Sequence, residues 1–185
     1  MERQEAIDAL AEHKGNAISV ATMQAAAPWK DAGQAEKDHV DASDCMGVAS
    51  SLGLGIAVGA PDRKVMVLDG DGSLLMQLGS LVTVASLAPA NYYHFIFFNG
   101  LYQSSGNQTI PGYGKMDLCQ LALASGYRKV WKVTSKGEFL EVLPEIMASE
   151  GPVLVEMQID REDGRTRFPG VPVAPQIMAL RESLA

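Results

Sequence analysis

Short apolar segments alternate with longer helix-forming segments along this chain, and that alternation limits the folds open to it. Residues 92–98, YYHFIFF, have the composition of a buried strand. Residues 64–68, KVMVL, form a second such segment, and residues 73–87 between the two suffice for one helix. Strands that alternate with helices form a parallel sheet covered on both faces. The sequence therefore predicts an α/β fold, a three-layer sandwich with a mainly parallel sheet.

The remaining segments repeat this pattern. Helices are predicted at residues 3–13, 46–60, 73–87, 117–125 and 136–149. Strands are predicted at residues 16–20, 64–68, 92–98, 129–133 and 153–159. The polar segment 25–44 is expected to contain loops with a turn or two. Residues 99–115 form a long loop rich in Gly, Ser, Asn and Gln, and loops of this length are often functional.

A chain of 185 residues fits one domain, which we place at residues 1–160. Residues 161–185 form a tail whose arginines and prolines suit an extended arm that contacts another subunit. These residues are Arg161, Arg165, Arg167, Pro169, Pro172 and Pro175.

Composition excludes several classes of function. The formal net charge of −7 argues against nucleic-acid binding, which needs a basic surface. The charged N-terminus lacks the apolar stretch of a secretory signal, and no apolar run approaches the roughly 20 residues that span a bilayer. Two cysteines are too few for a disulfide framework. We therefore expect a cytoplasmic protein with no membrane contact.

Polar residues follow both of the central predicted strands. Asp71 lies in an acidic turn after residues 64–68, and Asn99 comes directly after residues 92–98. Ligands of parallel sheets bind beyond the carboxyl ends of the strands, where these side chains should meet. Carboxylate and amide oxygens suit Mg²⁺, and Gly70 and Gly72 would let a phosphate approach the backbone. The sequence thus predicts a magnesium and phosphate site.

These motifs resemble those of thiamine diphosphate enzymes. The pair GDGS at residues 70–73 and FNG at residues 98–100 is similar to the metal-binding motif of that family, with Phe98 in place of the usual first asparagine. The resemblance implies a thiamine diphosphate-binding fold, of the diphosphate-binding domain type. It implies that Asp71, Asn99 and the carbonyl of Leu101 bind Mg²⁺. It places the following residues at the cofactor: Gly70, Gly72, Ser73 and Tyr102.

The segment before the second predicted helix also resembles the family. There Met46 would lie beneath the thiazolium ring and bend the cofactor. The carbonyl of Asp44, where the family commonly has glycine, would accept a hydrogen bond from the aminopyrimidine. Cys45 lies between them.

The opening MERQEAIDAL, the helix MGVASSLGLGIA and the loop YQSSGNQT resemble sulfopyruvate and phosphonopyruvate decarboxylases. This implies decarboxylation of a small 2-oxo acid, with Gln103 and Ser104 as candidate substrate contacts and His39 as a candidate catalytic residue. Family members activate the cofactor with a glutamate on a pyrimidine-binding domain. The 45 residues before Met46 are too few for one, so we expect a pyrimidine-binding alpha subunit. The resemblance to the family implies a dimer of heterodimers.

Other interpretations of the same residues remain. The string VMVLDGDGSLL is also similar to the first motif of haloacid-dehalogenase-type phosphatases, with Asp69 as nucleophile and Asp71 as general acid. A carboligase or oxidative enzyme, or a non-catalytic cofactor-binding subunit, would use the same cofactor motif. His94, inside an apolar strand, is interpreted as a core or interface histidine. Cys45 shows no sign of activation in the sequence.

Overall fold

The computed structural model describes residues 1–162 and 172–184. Within them, six parallel strands form one sheet in the order β2-β1-β3-β4-β8-β7, and β5 and β6 form a small antiparallel pair. The strands are β1 (Ile18–Ala21), β2 (His39–Asp41), β3 (Val65–Gly70), β4 (Tyr92–Phe98), β5 (Leu101–Tyr102), β6 (Gln108–Thr109), β7 (Lys129–Val133) and β8 (Val153–Gln158). Buried apolar residues occupy both faces of the central strands, as expected for a parallel sheet.

Helices cover both faces of the sheet, so the predicted three-layer α/β sandwich is confirmed. The helices are α1 (Arg3–His13), α2 (Ala26–Asp31), α3 (Ala49–Gly59), α4 (Asp71–Met76), α5 (Ser80–Leu87), α6 (Leu118–Ser125), α7 (Lys136–Ala148) and α8 (Val173–Ser183). One core cluster joins α1, α2 and α7 to the sheet, with Leu10, Trp29 and Phe139 fully buried. The other joins α3, α5 and α6 to the opposite face.

Three local features differ from the predicted elements. The strand β2 lies within a segment expected to be loops, because Val40 is its one strongly apolar residue. Helix α3 begins at Ala49 rather than residue 46, since Gly47 has a φ of +84° that a helix does not allow. The helix predicted at residues 73–87 is two helices, because the chain turns between Gln77 and Gly79.

The tail was predicted to be extended, and this is wrong for its described part. Residues Val173–Ser183 form α8, which packs Leu180 into the second core cluster. Gln176 accepts a hydrogen bond from the Asp41 N–H at 2.6 Å and so fixes α8 to β2. Arg165, Arg167 and Pro169 lie outside the described residues, and the subunit contact stays a prediction. Among the described helices, none has the length and apolar character that crossing a membrane requires.

Candidate active site

A cleft opens at the carboxyl ends of the central strands. Its walls come from the segments that follow β1, β3, β4 and β8, together with Arg3 of α1 and Met46 before α3. This is the edge at which parallel sheets bind ligands. The predicted site and the observed cleft therefore coincide in position.

Asp71 accepts three backbone hydrogen bonds in this cleft. It is 2% exposed, and its Oδ2 accepts hydrogen bonds from the N–H groups of Asn99 at 3.1 Å and Gly100 at 2.6 Å. Its Oδ1 accepts from the Gly72 N–H at 2.7 Å. An ionised carboxylate has about four acceptor positions, so three N–H donors leave room for a cation. These bonds also join the turn after β3 to the turn after β4.

Burial dominates the electrostatics of Asp71. Loss of solvent raises the pKa of its carboxyl group to about 6, although the N–H donors of Gly100, Gly72 and Asn99 act in the opposite direction. The negative charge of Asp69 adds to the rise. A buried carboxylate that is costly to ionise gains from a divalent cation beside it, because the cation stabilises the charged form. The donor set therefore fits Mg²⁺, which prefers oxygen ligands.

Asn99 is held through both ends of its side-chain amide. Its Oδ1 accepts from the Leu101 N–H at 2.9 Å, and its Nδ2 donates to Gln103 Oε1 at 3.0 Å. Gln103 Oε1 also accepts from Arg3 Nη2 at 2.8 Å. The side chain of Asn99 is 8% exposed, so these contacts form in a nearly water-free wall of the cleft.

Two glycines bring the backbone close to aromatic rings at the cleft. A Cβ on Gly72 would lie 2.6 Å from Cδ1 of Tyr102. Gly100 has a φ of +76°, and a Cβ there would lie 2.3 Å from Cε2 of Tyr113. A side chain at either position would displace the ring, so both turns need glycine for the ring to pack against the backbone.

The turn that carries Met46 is tied to the GDGS segment. The Gly47 N–H donates to Ser73 Oγ at 3.0 Å, and Met46 is half-buried in the cleft wall. Ser73 was predicted to contact the cofactor, and the structure shows its hydroxyl accepting from this turn. Asp44 and Cys45 are exposed and stand outside the cleft lining.

Most of the predicted site residues line one cleft. They are Met46, Gly70, Asp71, Gly72, Ser73, Asn99, Leu101, Tyr102, Gln103 and Ser104. His39 is not among the lining residues, because it opens β2 at the opposite end from the cleft and pairs with Ser19. Its Nδ1 lies 2.9 Å from Ser19 Oγ, and burial lowers its pKa to about 4. This position gives His39 no contact with the cleft.

Asp69 bears on the phosphatase interpretation. Its side chain is fully buried, with Oδ2 at 3.1 Å from His94 Nε2 and Oδ1 accepting from the Gly70 N–H. A phosphatase nucleophile has to reach its substrate, whereas both oxygens of this carboxylate are engaged by protein groups, although Asp69 borders the cleft. His94 is fully buried as well, which agrees with its interpretation as a core histidine.

Arg3 is a charged cleft residue that sequence reasoning missed. It is 3% exposed and lines the cleft from the first turn of α1. An arginine near the start of an amphipathic helix has the pattern of a surface residue, so the sequence offers no signal for its burial. Its guanidinium bonds Glu162 as well as Gln103 and brings a positive charge to the cleft wall.

The fold and this constellation together define a class of protein. Residues 19–157 match the thiamine pyrophosphate enzyme family, specifically its C-terminal TPP-binding domain, and the chain belongs to that family. Thiamine pyrophosphate is the same compound as thiamine diphosphate. The predicted family and fold are thereby confirmed, and the GDGS segment lies within the matched residues.

Three relatives show which enzymes of this family the chain is similar to. The chain is 44% identical over 114 residues to phosphonopyruvate decarboxylase of Streptomyces viridochromogenes, an alignment that covers 62% of this chain and 28% of that enzyme. It is 36% identical over 116 residues to sulfopyruvate decarboxylase subunit beta of Methanothermobacter thermautotrophicus, covering 62% of this chain and 58% of that subunit. It is 34% identical over 131 residues to sulfopyruvate decarboxylase of Methanosarcina acetivorans, covering 71% and 33%. The chain thus spans between about a quarter and three fifths of these relatives.

Proposed function

We propose that this chain is the diphosphate-binding subunit of a two-chain thiamine diphosphate-dependent 2-oxo acid decarboxylase. The observation that carries the proposal is the constellation of Asp71 and Asn99 at the carboxyl ends of β3 and β4. Membership of the TPP-binding family and similarity to decarboxylases support it. The enzyme is a carboxy-lyase, and this chain supplies one side of its active site.

Mg²⁺ is held by three groups in this proposal. They are a carboxylate oxygen of Asp71, Oδ1 of Asn99 and the main-chain carbonyl of Leu101. The first two are buried oxygens that retain acceptor capacity beyond the hydrogen bonds described above. Mg²⁺ completes its coordination with phosphate oxygens and water, which is its usual behaviour in proteins. A Cβ on Gly70 would meet only the Ser73 Cβ, at 4.0 Å, so this glycine leaves backbone space for those phosphates.

The protein's share in the reaction is binding and orientation. Bound thiamine diphosphate supplies a nucleophilic carbon for the keto group of the substrate and an electron sink for the loss of CO₂. Met46, in the cleft wall, would support the bound cofactor. Tyr102 would contact the cofactor from the cleft, and the main chain of Asp44 and Cys45 would do so from the turn beside Met46, outside the cleft lining. Ser104 is a candidate contact of the substrate.

We assign sulfopyruvate as the substrate, with sulfoacetaldehyde and CO₂ as products. Three relatives named as sulfopyruvate decarboxylase subunit beta support this choice and the two-chain arrangement. The alternative is phosphonopyruvate, which the 44% identity to the Streptomyces enzyme favours. Both substrates are small 2-oxo acids with a second anionic group, so one cleft suits either.

The activating glutamate in this proposal belongs to a pyrimidine-binding alpha subunit. The active site then lies between chains, and a dimer of heterodimers is the proposed assembly. The beta-subunit names of the relatives indicate that those enzymes contain a second kind of subunit.

Purification from the native host tests the assembly and the substrate together. The tagged chain is isolated with Mg²⁺, and native mass spectrometry identifies what it carries. We expect a second polypeptide and bound thiamine diphosphate, and turnover of sulfopyruvate above that of phosphonopyruvate and pyruvate. A chain that carries no cofactor even with excess thiamine diphosphate contradicts the proposal. If the complex turns over phosphonopyruvate faster than sulfopyruvate, phosphonopyruvate is the substrate.

Substitution of Asp71 tests the cation site. We expect Asp71→Ala to lower activity by more than about 100-fold, since loss of an outer-shell partner alone typically costs 10–100-fold. Decarboxylation assays and circular dichroism of the assembled enzyme measure activity and fold. Asp71→Asn keeps an acceptor for the backbone donors and serves if the alanine variant is unstable. Asp62→Ala, at an exposed carboxylate, is the matched control with full activity. Full activity in both Asp71 variants would contradict the assignment of Asp71 as a cation ligand.

A further inference from the structure

Gln103 was a candidate substrate contact, but its amide is already engaged by three protein groups. Its Oε1 accepts from Arg3 Nη2 at 2.8 Å and from Asn99 Nδ2 at 3.0 Å. Its Nε2 donates to the carbonyl of Glu162 at 2.9 Å. The side chain is 5% exposed. An amide makes about four hydrogen bonds, so little capacity is left for a substrate.

The hydrogen-bond chemistry of these neighbours determines which way each amide faces. A guanidinium only donates, so Arg3 requires Oε1 of Gln103 on its side. The Glu162 carbonyl only accepts, so it requires Nε2 on the other side. Because Oε1 then faces Asn99, the group of Asn99 directed at Gln103 has to be the donor Nδ2. Rotation of either amide by 180° would oppose two acceptors or two donors in a buried wall, which is costly.

This arrangement determines the position of Oδ1, the other polar atom of the Asn99 amide. With Nδ2 committed to Gln103, Oδ1 is the atom that accepts from the Leu101 N–H. The backbone N–H of Asn99 donates to Asp71 Oδ2, which places the residue beside the proposed cation site. A cation needs this oxygen, because an amide NH₂ group offers no lone pair for Mg²⁺. Arg3, two contacts away at the first turn of α1, thus favours the same orientation of Asn99 as the Leu101 N–H does.

We propose that Arg3 and Gln103 are positioning residues that fix the amide orientation of Asn99, so that its Oδ1 faces the cation site. The inference rests on the proposed function, in which Asn99 binds the cation. Arg3 is suited to this role because it is anchored by Glu162 and nearly inaccessible to water, which restricts its guanidinium to one placement. Outer-shell partners of metal ligands act in this way in other metal sites.

Binding of Mn²⁺, an oxygen-liganded substitute for Mg²⁺, tests this role. Free Mn²⁺ is measured by electron paramagnetic resonance in titrations of the assembled enzyme with saturating thiamine diphosphate. We expect Arg3→Met and Gln103→Met each to weaken Mn²⁺ binding by about 10–100-fold. The double variant should bind no more weakly than the worse single variant, since both changes remove one pathway. Arg3→Lys, which keeps a group that only donates, should retain most of the affinity.

A control variant distinguishes the positioning role of Arg3 from the general effect of losing an ion pair. Arg63→Met removes the pair of Arg63 with Asp38, away from the cleft, and should leave Mn²⁺ binding unchanged. Thermal unfolding of each variant shows whether it is folded at the assay temperature. If Arg3→Met leaves Mn²⁺ affinity unchanged, or if the two changes are additive, the inference is overturned.

Asp71→Asn distinguishes this inference from the proposed function. Loss of Mn²⁺ binding in Asp71→Asn, with full binding in both methionine variants, would overturn the positioning role and leave the cation site intact. Unchanged binding in Asp71→Asn as well would overturn the cation site itself.

Discussion

At the scale of single residues, the two cysteines lie in opposite environments. Cys45 is exposed, whereas Cys119 is buried and its Sγ donates to the Trp131 carbonyl. Burial, followed by the negative charges of Glu156 and Asp117, raises the pKa of the Cys119 thiol to about 12. Because the thiolate is the reactive form, Cys119 should be inert at neutral pH.

A thiol reagent checks this difference. We expect one equivalent of a chromogenic disulfide reagent to react with the folded chain at pH 8, at Cys45. Cys45→Ser should abolish the reaction, and Cys119→Ser should leave its rate unchanged. Rapid labelling of folded Cys45→Ser would contradict the assigned environments.

The proposed cation ligands and the turn glycines of the site could be predicted from the sequence. Asp71 and Asn99 follow apolar strands directly, so the sheet topology alone brings them together. Arg3 could not be predicted, since its burial depends on contacts with Gln103 and Glu162, which are 100 and 159 residues away in sequence. The engaged state of Gln103 was missed for the same reason.

At the scale of secondary structure elements, the packing of α3 against the sheet depends on a single glycine. A Cβ on Gly53 would lie 2.2 Å from Cγ2 of Val67 and 3.3 Å from Cε2 of Tyr92. Gly55, on the exposed side of the same helix, has no atom within 4 Å of that position. The two glycines therefore respond oppositely to alanine.

Gly53→Ala should destabilise the chain by about 1–3 kcal/mol, the usual cost of overpacking. Gly55→Ala should stabilise it by up to about 1 kcal/mol through helix propensity. Urea unfolding followed by circular dichroism gives both free energies of unfolding. Equal effects of the two substitutions would show that α3 does not approach the sheet as described.

The bounds of helices and strands were predicted well where the apolar pattern is strong. They were predicted poorly where a single residue determines the start or end of the element. The strand β4 has the predicted bounds, because all seven of its residues are buried. The strand β2 has three residues and pairs with β1, so its pattern was too short to detect. No proline marks the break between α4 and α5 in the sequence. The start of α3 depends on the backbone conformation of Gly47.

At the scale of the whole molecule, His39 links the stability of the fold to pH. Burial lowers its pKa from 6.5 to about 4, and Asp41 opposes this while Lys14 adds to it. The unfolded chain therefore takes up a proton below pH 6.5 that the folded chain does not. This contribution to stability is complete above pH 6.5 and is lost as the pH falls towards 4.

His39→Asn should remove that dependence. Between pH 7 and pH 4 the wild-type free energy of unfolding should fall by about 3 kcal/mol more than that of the variant. The difference between the two proteins is needed, since the raised pKa of Asp71 acts with the opposite sign over part of this range. His13→Asn, at a half-buried histidine on α1, is the control. Parallel pH profiles for wild type and His39→Asn would refute the assignment.

The position of β8 in the sheet has a consequence for biosynthesis. This strand lies between β4 and β7, and β7 pairs with no other strand in the described chain. Until residues 153–158 leave the ribosome, β7 has no partner and the apolar β4 has a bare edge. Exposed strand edges of this kind are templates for aggregation. A nascent chain halted just before Val153 is therefore the form of this protein most in need of a chaperone.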